Sequence, residues 1–82
     1  MFEIKFEPTA KRFLKKLDKH EAKKILTKIK KLKNNPKLGK PLIGNLSGLW
    51  RLRIEEYRVI YQIKNNELII FVLDIGLRKN IY

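Results

Sequence analysis

Residues 50–64 read Trp50-Arg51-Leu52-Arg53-Ile54-Glu55-Glu56-Tyr57-Arg58-Val59-Ile60-Tyr61-Gln62-Ile63-Lys64. Apolar side chains recur at every second position on both sides of Glu55-Glu56, which is the period of a half-buried β-strand. The spacing predicts strands over 49–55 and 57–64, joined by a tight turn at Glu55-Glu56. With two residues in that turn, Arg53 stands opposite Arg58 and Arg51 opposite Ile60. Successive side chains alternate between faces, so Arg51, Arg53 and Arg58 share one face with Gln62. The other face carries Trp50, Leu52, Ile54, Tyr57, Val59, Tyr61 and Ile63, and so needs a cover.

The neighbouring segments supply the cover. A third strand is expected over 67–75, after a turn at Asn65-Asn66 where asparagine tolerates positive φ. It would add Leu68, Ile70 and Val72 to the apolar face and Ile69, Phe71 and Leu73 to the arginine face, ending at Asp74-Ile75-Gly76. Upstream, residues 34–48 hold Pro36, Gly39, Pro41, Gly44 and Gly48 and read as a crossing loop. Before the loop, Ala22, Ile25, Leu26, Ile29 and Leu32 recur at helical spacing. Asp18-Lys19-His20-Glu21 has the pattern of a capping box at that helix's start, and Asn34-Asn35-Pro36 ends it. Pro8 suits the first turn of an earlier helix, with Ala10, Phe13, Leu14 and Leu17 on one side. Residues 2–7 alternate as a strand. The order implies an α+β fold: an N-terminal strand and a helical hairpin packed on one face of a small antiparallel sheet.

At 82 residues the chain has room for one domain, 1–82. It has no cysteine and one histidine, which leaves no disulfide, no thiolate metal site and no histidine-built one. No cofactor or metal is expected. No stretch reaches the length of a membrane span, and the alternating N-terminus lacks a signal peptide's apolar run, so a soluble cytoplasmic protein is expected. The net charge of +12 calls for an anionic partner: nucleic acid, an acidic protein or an anionic membrane. The membrane ranks lowest, because the sheet claims the apolar side of the lysine-rich helix.

The positive charge is of two kinds. Residues 1–50 contain thirteen lysines and one arginine, Arg12; residues 51–82 contain two lysines and Arg51, Arg53, Arg58 and Arg78. Lysine is a flexible hydrated point charge, whereas arginine offers a planar fork that fits phosphate bidentately. The pattern reads as a lysine-rich scaffold and an arginine-rich site. Arg53 facing Arg58 is locally unfavourable, and a broken rule of this kind often marks function. The plainer alternative is neutralisation by Glu55 or another carboxylate in a weak surface pair. Lys23, Lys24, Lys28, Lys30 and Lys31 form a solvated helix face that could also grip RNA. Trp50 and Tyr61 read as core, Tyr57 as sheet edge and His20 as solvated.

Three segments together resemble the RelE/ParE toxin superfamily: Gly48-Leu49-Trp50-Arg51-Leu52-Arg53, Tyr57-Arg58-Val59-Ile60-Tyr61, and Ile75-Gly76-Leu77-Arg78-Lys79-Asn80-Ile81-Tyr82. Phe6-Glu7-Pro8-Thr9-Ala10-Lys11 with its helical hairpin adds to the match. The resemblance implies a RelE-like sheet with two N-terminal helices on one face. It implies a type II toxin that cuts messenger RNA on the ribosome without a metal, and an acidic RelB-like antitoxin that wraps it in a hetero-oligomer. The family's basic residues fall on Arg51, Arg53, Arg58 and Arg78, and its terminal aromatic base on Tyr82. RelE-type relatives often carry lysine where this chain has Arg51 and Arg53, and many carry histidine where it has Leu77. Arginine effectively cannot give up its proton, so Arg51 and Arg53 can bind phosphate but are poor proton donors. ParE-type relatives share the fold but target DNA gyrase and generally lack the catalytic set, which leaves a non-catalytic or degenerate toxin as the alternative. In the catalytic reading the RNA 2′-hydroxyl attacks the adjacent phosphate. Tyr82 accepts the proton, Arg58 and Arg78 hold the phosphate and its leaving side, and Arg51 and Arg53 orient the strand and support a tyrosinate.

Overall fold

The computed structural model describes residues 1–79. In chain order these form β1 (Glu3–Phe6), α1 (Pro8–Lys16), α2 (Lys19–Lys30), β2 (Lys40–Pro41), β3 (Trp50–Ile54), β4 (Tyr57–Lys64) and β5 (Ile69–Leu77). Short 3-10 turns lie at Lys31–Lys33, Pro36–Leu38, Gly44–Leu46 and Asn65–Glu67. The strands are ordered β1-β5-β4-β3-β2. β1 runs parallel to β5 and the other pairs are antiparallel, so the sheet is mixed rather than wholly antiparallel. The physical reason is simple. Alternation in residues 3–6 decides which side chains face the core, but a parallel and an antiparallel neighbour satisfy it equally well.

Both helices pack on the apolar face. Ala10 of α1 and Ile25 and Ile29 of α2, with Leu32 just beyond, are fully buried against Leu52, Ile54, Tyr57, Val59, Tyr61, Ile70, Val72 and Ile75. Pro8 opens α1 where its missing N–H costs nothing. Asp18 caps α2 by accepting from the Glu21 amide at 2.9 Å. The reciprocal half of the expected capping box does not form. The Glu21 carboxylate instead accepts from the Tyr57 hydroxyl and pairs with Lys24. Tyr57, expected at the sheet edge, is buried on an interior strand with its ring edge-on to Phe13. Among the described residues no helix is long and apolar enough to cross a membrane.

The register of β3 on β4 follows the expected two-residue turn: Arg53 pairs with Arg58 and Arg51 with Ile60. The β4–β5 connection departs from expectation twice. Residues 65–68 all lie in the turn, with Leu68 left-handed at φ 55° and about half exposed, so Leu68 is not in the core. This moves β5 by two residues relative to a two-residue turn and leaves its faces unchanged. Then Ile60 pairs with Asp74 whereas Tyr61 pairs with Val72, so Leu73 is an extra, unpaired residue. Such a bulge inverts the alternation beyond it. Ile75 therefore enters the core and Asp74 joins the arginine face. β5 also continues through Gly76 to Leu77.

The loop after α2 is fastened by Tyr61. Its hydroxyl donates to the Pro36 carbonyl at 2.7 Å and accepts from the Gly39 amide at 3.1 Å. Trp50 stacks on the Tyr61 ring with centroids 6.2 Å apart. A Cβ on Gly39 would overlap the Arg51 carbonyl oxygen and lie 2.8 Å from the Tyr61 hydroxyl. Gly39→Ala is therefore expected to destabilise the fold by about 1–3 kcal/mol, the usual range for overpacking. Urea unfolding checks this, and an unchanged midpoint would show that the loop yields without cost.

Candidate functional site

The sheet face turned away from the helices collects the arginines. Arg53 and Arg58 are direct neighbours across β3 and β4, and Arg51 lies one row away opposite Ile60. The same rows continue onto β5, where Gly76 pairs with Arg58 and Asp74 with Ile60. Arg53 is exposed; Arg51 and Arg58 are half-buried. Ile60 is 1% exposed although it belongs to this face and not to the helix-covered core. Long arginine stems can shield such a position while their heads stay wet. The Arg51 Nε is buried without a hydrogen-bond partner among the described residues. A buried unsatisfied donor carries a desolvation penalty and is rare in folded chains.

Glu55, the carboxylate that could have neutralised Arg53 and Arg58, is used elsewhere. Its Oε1 takes the Lys24 ammonium at 2.8 Å, and Lys24 also meets Glu21 at 3.0 Å. The hydrogen bonds that it donates to the Glu55 and Glu21 carboxylates raise the pKa of the Lys24 ammonium well above its ordinary range. Lys24 in turn holds the Glu21 carboxyl below its ordinary value, helped by the Tyr57 hydroxyl. Of the lysines proposed for RNA, Lys24 is thus committed to tying α2 to the β3–β4 turn. Glu55 has a positive φ of 52°, which costs a non-glycine residue about 1 kcal/mol. The opposite side of this turn is held by Arg78, whose amide donates to the Glu56 carbonyl at 2.8 Å and whose Nη1 reaches the Glu55 carbonyl at 3.4 Å.

The four arginines fall into two pairs. Arg58 and Arg78 line one hollow of about 580 Å³ with Glu56, Leu77 and Lys79. Arg51 and Arg53 line another of about 190 Å³ with Lys28, Gly39 and Lys40. Arg53 also reaches a hollow of about 530 Å³ beside α2, among His20, Lys23, Lys28 and Lys31. It can do so because β2 pairs only with Trp50 and Arg51, leaving the β3 edge open at Arg53. Lys30 does not line that hollow. Tyr82 lies outside the described residues. Tyr57 and Tyr61 are poor proton acceptors: burial pushes both phenols up, and for Tyr57 the Glu21 carboxylate adds to the rise.

Asp74 was missed by strand alternation, yet the signal was present. Continuing Leu68, Ile70 and Val72 by twos would put a carboxylate into the core at position 74. An aspartate at a core position is the kind of conflict that a bulge resolves.

A family model described as the ParE toxin of type II toxin–antitoxin systems, parDE, matches residues 4–82. The chain belongs to this toxin family. The toxin is 29% identical over 80 residues to a RelE-like toxin protein of Escherichia coli, covering 95% of this chain and 84% of that relative. Among solved structures it is similar to a chain of the RelBE2 toxin–antitoxin complex of Mycobacterium tuberculosis, with 28% identity, a TM-score of 0.86 and coverage of 94% and 98%. A chain of the YoeB–YefM complex of Staphylococcus aureus is 25% identical with a TM-score of 0.74, covering 95% of this toxin and 98% of that chain. The isolated RelE toxin of E. coli, at 17% identity, shares the fold with a TM-score of 0.80 over 94% of this chain and 84% of that one.

The Glu21 clamp makes part of the toxin's stability depend on pH. A carboxyl whose folded value is depressed stabilises fully above its unfolded value, here 4.5, and loses that contribution as pH falls through the folded value. Glu21→Gln is therefore expected to lower the melting temperature at neutral pH, with the gap from wild type closing on acidification below 4.5. Calorimetry across pH checks this; a gap that does not change with pH would assign the loss to packing.

Proposed function

We propose that this toxin is a ribosome-dependent messenger-RNA endoribonuclease working by attack of the RNA 2′-hydroxyl on the adjacent phosphate. The observation that carries the reading is the direct opposition of Arg53 and Arg58, with Arg51 on the same face and Arg78 tethered so that it lines one hollow with Arg58. Fixed cations around a crowded phosphorane often lower the barrier of such a reaction more than any other single group does. Arg58 and Arg78 hold the phosphate and its leaving side, and Arg51 and Arg53 orient the strand. Lys23, Lys28 and Lys31, beside Arg53, add salt-dependent and sequence-blind attraction to RNA. A proton acceptor completes the scheme, and the family resemblance gives this role to Tyr82.

On translating ribosomes, Arg78→Ala is expected to cut messenger RNA about 10²–10³-fold more slowly than wild type, the usual loss for one transition-state charge partner. Equal cutting by both proteins would remove Arg78 from the scheme. A second reading is a non-catalytic inhibitor of DNA gyrase. It is favoured by the match to a ParE model and by arginine at positions 51 and 53, where RelE-type relatives often carry lysine. Inhibited supercoiling without RNA cleavage would select it.

The +12 charge and the half-buried Ile69 and Phe71 on the arginine face support an acidic antitoxin as partner in the cytoplasm, covering that face in a hetero-oligomer. Amides of β4 and β5 are expected to exchange hydrogen more slowly in the complex than in the free toxin. Unaltered exchange there would place the antitoxin elsewhere.

A further inference from the structure

We propose that Lys40 builds, with Lys28, Arg51 and Arg53, a second phosphate subsite that holds a phosphodiester of the RNA strand beside the one being cut. The assignment rests on the endoribonuclease reading and adds to it a residue and a subsite outside the Arg58–Arg78 hollow. Lys40 stands directly opposite Arg51 where β2 meets β3, so the two cations share one face. β2 covers only Trp50 and Arg51, and the notch beside Arg53 is the hollow of about 190 Å³. Lys28 lines it from α2 and Gly39 from the loop. The backbone adds a donor. A Cβ on Gly39 would overlap the Arg51 carbonyl oxygen, so that carbonyl faces β2. Antiparallel strands repeat this direction every second residue. The Arg53 amide therefore faces the notch, where no strand meets it among the described residues.

Two like-charged cross-strand pairs lie side by side here, Lys40 with Arg51 and Arg53 with Arg58, and each is unfavourable without an anion. Among the described residues none of Lys28, Lys40, Arg51 and Arg53 takes part in an ion pair. Glu55 is held by Lys24. The carboxylates of the arginine face, Asp74 and Glu3, stand on β5 and β1, two and three strands from β3. Lys40 is nevertheless kept in place. Tyr61 fixes the backbone just before it through the Pro36 carbonyl and the Gly39 amide. Lys40 itself is exposed, so the hold gains nothing for the core from its side chain. The hollow has room for a phosphate group and not for a folded segment, and the arginine fork fits phosphate bidentately. Because Arg53 and Arg58 are direct neighbours, the two hollows flank one cross-strand pair, and a single RNA strand can fill both.

The test is a nuclear magnetic resonance titration of the toxin with an RNA trinucleotide made uncleavable by 2′-O-methyl groups, repeated over a range of salt. Wild type, Lys40→Gln, Lys40→Arg and Lys37→Gln are compared, and the spectrum of each free variant checks that it is folded. In wild type the amides of Gly39, Lys40 and Arg53 should shift. Lys40→Gln should bind about two- to fivefold more weakly, the worth of one exposed ion pair. It should also lower the slope of log affinity against log salt by about 0.7, the share of one phosphate contact on a single strand. Lys40→Arg should keep wild-type affinity. Lys37 is exposed on the same loop but does not line this hollow, and Lys37→Gln should lose less. An equal loss in Lys37→Gln leaves only diffuse charge and overturns the subsite, as does wild-type affinity in Lys40→Gln. Inorganic phosphate that moves the same amides as strongly as the trinucleotide makes this a free-phosphate site and overturns the RNA assignment. So does a glutamate-rich peptide that moves them when the trinucleotide does not. Cleavage on messenger-RNA-programmed ribosomes is measured alongside. Wild type that fills the notch without cutting RNA keeps the subsite and overturns the endoribonuclease reading.

Discussion

Between Ile54 and Tyr57 the chain reverses in two residues, and that reversal decides which side chains of β3 stand beside which of β4. One residue more or fewer would send Arg58 to the side opposite Arg53 and push the apolar set of β4 into solvent. The turn is held from two directions. Lys24 grips Glu55 from the helical layer, and Arg78 grips the Glu55 and Glu56 carbonyls from the end of the sheet. The left-handed backbone at Glu55 is tolerable because these contacts over-determine it. Helix packing, strand register and the placing of Arg78 thus meet at one reversal.

The sheet then carries two textures on its two sides. Toward the helices it is tightly filled by branched aliphatic and tyrosine side chains. On the other side, cations lie over an isoleucine, with Asp74 in the same cross-strand row and Glu3 at the β1 edge. The bulge at Leu73 lets one strand give Ile75 to the core and Asp74 and Gly76 to the other face. Such a device costs one ladder position and gains a change of facing without a break in the strand.

Much of this was legible in the order of the residues alone. The alternation around Glu55-Glu56 contains both the strands and their register, because a two-residue turn leaves no freedom in pairing. The helices were legible from their spacing. Three things were not. The direction of β1 escaped because a short alternating segment says which side is wet and nothing about polarity. The long turn at 65–68 escaped because asparagine pairs fit several turn lengths, and the bulge escaped because its one sign, a carboxylate due in the core at position 74, falls where the strand was expected to end. The site inherited these gaps. Arg51, Arg53 and Arg58 followed from alternation, whereas the division of the arginines into two hollows depends on where β2 stops, which no pattern in residues 34–48 announces.

The pairing of β1 with β5 joins residues 3–6 to residues 69–72, so the two extremities of the chain close the same sheet. Contacts of such long sequence separation form late, after the loop entropy between them has been overcome. During translation the N-terminal strand emerges first and must wait, bound to nothing in the sheet, until nearly the whole polypeptide has followed. The hollow shared by Arg58 and Arg78 waits equally, because Arg78 emerges after β5. Neither the closed sheet nor that hollow therefore exists until β5 and Arg78 have been made.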